Sequence, residues 1–106
     1  MKDIRIQKLA ELLIQYSTHI QPGEKVLIDA IGEGDDLCKA IIEETYKAGG
    51  IPFINVENPV LNAAIVKEAP KEFFTTQRKW EEQRMKEMDA YIGVRAGKNT
   101  YTMKSV

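Results

Sequence analysis

The segment Lys25-Val26-Leu27-Ile28-Asp29-Ala30 constrains this chain more than any other. Its apolar residues are continuous rather than alternating. A strand with that pattern is covered on both faces, as in the interior of a parallel sheet. Parallel strands need crossovers, and the flanking sequence supplies them. Gln21-Pro22-Gly23-Glu24 forms a turn ahead of the strand, because Pro presets φ and Gly admits positive φ. A polar Gly32–Asp36 loop follows it. Next comes a helical stripe from about Asp35 to Ala48, with Leu37, Ile41, Thr45 and Ala48 flanked by Cys38, Ile42 and Tyr46. Gly49-Gly50 ends that helix.

Ile51 to Val56 reads as a second strand, with Pro52 at its start or on a sheet edge because Pro cannot donate a ladder bond. Asn58-Pro59 starts a short helix: Asn caps and Pro suits the first helical position. Pro70 interrupts it. A heavily charged helix then runs from Lys71 to about Met88, either mostly solvated or covered by something outside this chain. Its Trp80 and Met85 fit a partner interface or packing within the domain equally well. Asp89 to Arg95 is a third strand, and Ala96 to Thr100 leaves it as a loop. Ahead of all this, Ile6, Leu9, Leu12, Leu13, Tyr16 and Ile20 recur at helical spacing from about residue 3 to 19.

This order predicts an α/β fold: a three-layer domain with a short parallel sheet and flanking helices, residues 1–106 forming one domain. The expected strand order is 2-1-3. Val26-Leu27-Ile28 suits the centre and Pro52 an edge. With no helix after the third strand, Ile92 or Val94 should be partly bare.

Composition narrows function by exclusion. Charged residues are 29% of the 106 and the formal net charge is -1. Nucleic acid and anionic membrane are therefore poor partners, since both want clustered Lys and Arg. The longest apolar runs, such as Ala63–Val66, fall far short of a membrane span. A single Cys38 precludes an internal disulfide. With no secretory signal the chain reads as cytoplasmic.

Candidate sites are few. Gly32-Glu33-Gly34 follows a strand, but Leu37 stands where a dinucleotide fingerprint needs its third glycine, and Asp35 and Asp36 would repel a pyrophosphate. Asp29, Glu33, Asp35 and Asp36 could suggest a hard-metal site, although acidic residues commonly stabilise a helix start. One His19 and one Cys38 on different helices do not make a zinc site. His19 reads as a helix-end residue and Cys38 as a small buried hydrophobe.

Several segments resemble the N-terminal part of the thermophilic-type metalloaminopeptidases, the aminopeptidase T and aminopeptidase S group. They are Leu9-Ala10-Glu11-Leu12-Leu13-Ile14-Gln15-Tyr16-Ser17, Gln21-Pro22-Gly23-Glu24-Lys25-Val26-Leu27-Ile28, Tyr46-Lys47-Ala48-Gly49-Gly50 before Pro52, and Asp89-Ala90-Tyr91-Ile92-Gly93-Val94-Arg95 before Asn99-Thr100. The resemblance implies a longer, two-domain enzyme that removes N-terminal residues from peptides with two divalent metal ions: zinc, cobalt or manganese. It implies that the ligands lie in a later, C-terminal catalytic domain, so no catalytic or metal residue is expected here. It further implies an N-terminal scaffold domain, a homo-oligomer and a peptide substrate.

Arg95 and Asn99, at a strand's carboxyl end, are the candidates for facing that enzyme's cleft. Structural hydrogen bonding is the commoner role for such residues. The alternative is a stand-alone doubly wound module that binds a small anion or a protein at the Gly32–Asp36 loop.

Overall fold

The computed structural model describes residues 3–95 and, as backbone, 100–105. Helix α1 (Ile4–Glu11) is capped by Asp3, whose Oδ1 accepts the Arg5 N–H at 2.9 Å. It runs into a π-helical segment, Leu12–Ser17. β1 (Lys25–Ile31), α2 (Asp35–Lys47), β2 (Ile51–Glu57), α3 (Pro59–Lys67), α4 (Lys71–Lys86) and β3 (Ala90–Arg95) follow. A fourth strand, β4, spans Thr100–Ser105.

The sheet order is β2-β1-β3-β4. β1 pairs in parallel with β2 and β3, as the apolar run and Pro52 predict. β4 is the departure. Residue 100 begins a strand antiparallel to β3 instead of lying in a loop. Its Thr100-Tyr101-Thr102 start has the β-branched and aromatic character that favours a pleated surface. An antiparallel neighbour needs only a short connection, so no helix announces it.

Right-handed crossovers decide the layers. The step from β1 to β2 and the step from β2 back across to β3 run in opposite directions. α2 therefore lies on one face, and α3 with α4 on the other. The result is a three-layer α/β arrangement.

The first face is closed over β1 and β3, while Ile54 and Val56 of β2, in register with Ile28 and Ala30, stay largely exposed. Val26, Ile28 and Ala30 of β1 and Ala90, Ile92 and Val94 of β3 form one cluster with Ala10, Leu13 and Ile14 of the first helix and with Cys38 and Ile41 of α2. Ile92 is 0% exposed and Val94 4%, so neither is bare. The cover comes from the N-terminal helix and α2 rather than from a helix after β3. Each such fully buried aliphatic side chain contributes about 1.5–3 kcal/mol relative to exposure.

The first helix ends in the π segment. The Thr18 N–H reaches back five residues to the Leu13 carbonyl at 3.0 Å, and the Thr18 hydroxyl donates to the same oxygen at 2.7 Å. Leu13 and Ile14, three and four residues after the buried Ala10, share its inward face. Leu12 and Tyr16, expected on the apolar stripe, point to solvent. Tyr46 of α2 is likewise outside, whereas Glu44 is buried with its carboxylate on the Lys47 ammonium at 2.9 Å.

Both turn motifs before the strands meet at the sheet's amino end. The Gly23 N–H donates to the Gly49 carbonyl at 2.9 Å, and the Ile51 N–H to Glu24 at 2.8 Å. Gly49 takes φ +83°, where a side chain is strained. Asp89 completes the clamp. Its Oδ2 accepts the Lys25 N–H and its own N–H donates to the Lys25 carbonyl, each at 2.8 Å.

The second face is different. α3 and α4 contribute no buried residue to it. Among the described residues no helix is long and apolar enough to cross a membrane.

Candidate functional site

In an α/β sheet, ligands gather outside the carboxyl ends of the parallel strands. On the second face, that end of the sheet is polar. Asp29 of β1 stands level with Asn55 of β2 and Gly93 of β3. In parallel strands, residues in register share a face, so three polar or small positions line up across an otherwise apolar sheet.

The Asp29 carboxylate is the hub. Its Oδ1 accepts the Asn55 side-chain N–H at 2.9 Å, and its Oδ2 accepts the Tyr91 hydroxyl at 3.0 Å. Arg95 donates from one guanidinium nitrogen to the Asp29 main-chain carbonyl at 3.3 Å and to the Val94 carbonyl at 3.4 Å. One acidic side chain thus ties the three parallel strands together, and charge-assisted hydrogen bonds of this type are the stronger ones.

Gly93 makes room for the arrangement. Tyr91 and Arg95 flank it at period two and lean over it. A Cβ at 93 would come within 3.2 Å of the Tyr91 hydroxyl oxygen and 3.3 Å of the Arg95 nitrogen. Burial pushes the Tyr91 phenol up from its ordinary value, a hydrogen bond from Arg95 pulls it down, and the Asp29 charge raises it further. The phenol therefore stays a neutral donor at neutral pH. What the cluster presents outward is the half-buried Arg95 guanidinium, spent on carbonyl oxygens rather than on a carboxylate.

Of the two residues expected at the cleft, Arg95 joins this network, and Asn99 lies outside the described residues. Asn55 and Tyr91 become partners of Asp29 only through the strand register. The available signal was a polar residue at the same offset in two successive apolar strands, Asp29 as the fifth residue of β1 and Asn55 as the fifth of β2.

The cluster does not fit a two-metal centre. It holds a single carboxylate, already engaged by two donors and beside a cation. Among the described residues no group of three or more His, Cys, Asp and Glu side chains could hold a metal ion. Glu33, Asp35 and Asp36 instead line an open cleft of about 890 Å³ with the start of α1. Gly34, at the N-cap of α2, makes no side-chain cap, so the two Asp residues of the first turn supply the favourable charge. His19 sits at φ 51° past the π segment, with Nδ1 3.2 Å from the Gln15 carbonyl. Cys38 is buried, and burial, with the Asp35 charge adding to it, pushes its thiol up. That is the profile of an inert packed thiol.

Comparison with known proteins gives this scaffold its context. A sequence profile described as thermophilic metalloprotease (M29) matches residues 2–106. Among curated proteins none matches significantly. Wild-type AmpT from Thermus thermophilus is similar in structure, with a TM-score of 0.56 and 26% sequence identity over 65% of this chain. The match spans 18% of the AmpT chain. Because the family profile runs along essentially the whole sequence, the chain belongs to the thermophilic metalloprotease family M29.

Proposed function

We propose that this chain is the N-terminal α/β scaffold domain of a longer, metal-dependent aminopeptidase that removes N-terminal residues from peptides. In this reading a C-terminal catalytic domain completes the enzyme, the assembly is a cytoplasmic homo-oligomer, and these 106 residues are inactive alone. The observation that carries it is the M29 profile over residues 2–106, joined to a likeness that occupies only 18% of AmpT. Membership of a metalloprotease family makes metal dependence the property of the whole enzyme.

Two divalent ions, zinc, cobalt or manganese, supply Lewis-acid polarisation of the scissile carbonyl when bound. The residues of this chain would contribute walls and orientation. Arg95 would face the cleft, held by the Asp29 and Val94 carbonyls. The Asp29–Asn55–Tyr91 bonds would keep the strand ends that carry it in register. Asn99, four residues further along the chain, would face the same cleft.

The test is the native gene product. Its intact mass should be several times the 12.0 kDa of this chain, and it should release amino acids from peptides until a chelator is added. A native product of 12.0 kDa, or peptide cleavage that ignores chelators, would overturn the proposal.

A further inference from the structure

Arg95 ends β3 on the side of the sheet where the parallel strands have their carboxyl ends. Its guanidinium is half-buried, yet among the described residues no carboxylate lies within ion-pair distance of it. The ion pairs there are Arg5 with Asp3 and Lys47 with Glu44. Asp29, the one acid of the network, gives its carboxylate to neutral donors: Oδ1 to Asn55 and Oδ2 to Tyr91. A cation drawn partly out of water is ordinarily paired, because an uncompensated charge is costly to shelter. The counter-ion that Arg95 lacks is a group the described residues do not supply.

The geometry defines that group. Both main-chain bonds of Arg95 leave from Nη1, at 3.3 Å to the Asp29 carbonyl and 3.4 Å to the Val94 carbonyl. They hold the fork by one corner. No carbonyl or carboxylate of the described residues meets Nε or Nη2, which form the opposite edge. Two parallel N–H bonds from that edge match the two oxygens of a planar carboxylate. The surrounding charge favours a single negative charge on the ligand. Asp29 lies beside Arg95, and Glu57 stands across β1 from it, both being level with Ile31. Two strand spacings put the backbones of Glu57 and Arg95 about 10 Å apart. A phosphate dianion would meet about twice the repulsion from these two acids that a carboxylate meets.

We infer that the Nε and Nη2 edge of Arg95 binds a free carboxylate, and that in the enzyme this is the C-terminal carboxylate of a short peptide substrate. The second half rests on the peptidase reading proposed above; the first stands on the guanidinium alone. Arg95 is then a specificity residue, remote from the bond that breaks. An anchor for the far end of the substrate favours peptides short enough for both ends to lie in one cleft, and it disfavours amidated ones. Asp29, Asn55 and Tyr91 are positioning residues: they lock the strands whose carbonyls hold Nη1.

Titration of the 106-residue chain with N-acetyl-dialanine, followed by NMR at the Arg95 side chain and the Gly93 amide, tests the site. Saturable shifts at millimolar ligand are expected, the range that one solvent-accessible ion pair allows. The dialanine amide should give none, and inorganic phosphate weaker ones. Arg95→Gln should abolish the shifts, Arg95→Lys should weaken binding at least about threefold by removing the fork, and Arg5→Gln on α1 should leave it unchanged. Circular dichroism checks that each variant folds. Equal response to acid and amide, binding that survives Arg95→Gln, or tighter binding of phosphate would overturn the site. In the native gene product, a peptide with a free carboxylate should be cleaved with a kcat/KM at least about fivefold above that of its amide. Arg95→Gln should erase that preference through KM. Equal cleavage of both peptides would overturn the assignment to substrate and leave the peptidase reading standing. Cleavage of neither would overturn the peptidase reading, and with it the peptide as owner of the carboxylate.

Discussion

Tyr91 and Asp29 are 62 residues apart in the chain, yet the phenol donates to the carboxylate at 3.0 Å across neighbouring strands. This bond and the one from Asn55 make Asp29 the point where the three parallel strands are locked in register. Asp29→Ala strands both donors on a half-covered face. It should destabilise the domain by about 2–3 kcal/mol, and Tyr91→Phe by about 1 kcal/mol. Urea denaturation of both singles and the double variant should give a coupling energy of at least about 0.5 kcal/mol. Strict additivity would mean that the contact is idle in solution.

The same pair gives a pH dependence. Burial raises the Tyr91 pKa above its ordinary 10.0 in the folded state. Below that value the phenol is protonated in both states and contributes no slope. Above it the unfolded chain loses the proton first and binds fewer protons than the native one, so stability falls with rising pH. The loss should begin near pH 10 and continue through the folded pKa, and Tyr91→Phe should flatten it. Phenolate absorbance during an alkaline titration reports the ionisation, and denaturation midpoints report the stability.

Gly50 tests the packing of the two turn motifs. A Cβ there would lie 2.8 Å from Ile20 Cγ2, 3.0 Å from Thr45 Cγ2 and 3.2 Å from the Glu24 carbonyl. Gly50→Ala should cost about 1–3 kcal/mol by overpacking. Gly23 has φ +85° but open space around it. Gly23→Asn should cost less than about 1 kcal/mol, because Asn visits that region readily. Thermal melts of the two variants separate steric crowding from backbone strain.

Asn58 caps α3 by accepting the Val60 N–H at 2.9 Å. Asn58→Ala should remove about 1 kcal/mol of helix stability. Since α3 buries no residue, the loss should be local. Hydrogen exchange should quicken at the α3 amides, while those of β1, between its two neighbours, stay protected. Equal loss of protection in β1 would show that α3 is coupled to the core.

How far the sequence carries the fold depends on the range of the physics involved. Val26-Leu27-Ile28, Pro52 and the Asn58-Pro59 cap are local signals, and the structure honours each of them. The misses are non-local. Leu12 and Tyr16 fall at helical spacing with Leu9 and Leu13, yet the face that packs runs through Ala10, Leu13 and Ile14, and only the tertiary contact selects it. Ile92 and Val94 gain their cover from the first helix and α2, both distant in sequence. β4 depends on a partner strand rather than on its own periodicity. The polar hub was half legible: Asp29 stood out as an acid among apolar neighbours, but its donors Asn55 and Tyr91 emerge only once the strand register is known.

The central claim is that these residues frame a metallopeptidase without holding its metal. Calorimetric titration of the pure chain with Zn²⁺, Co²⁺ and Mn²⁺, paired with an assay of amino-acid release from a peptide, tests it most directly. The account predicts no stoichiometric submicromolar binding and no release, because Asp29 is engaged and one His19 and one buried Cys38 cannot build a site. Tight one-to-one binding of any of the three ions, or amino acids released by the chain alone, would contradict it.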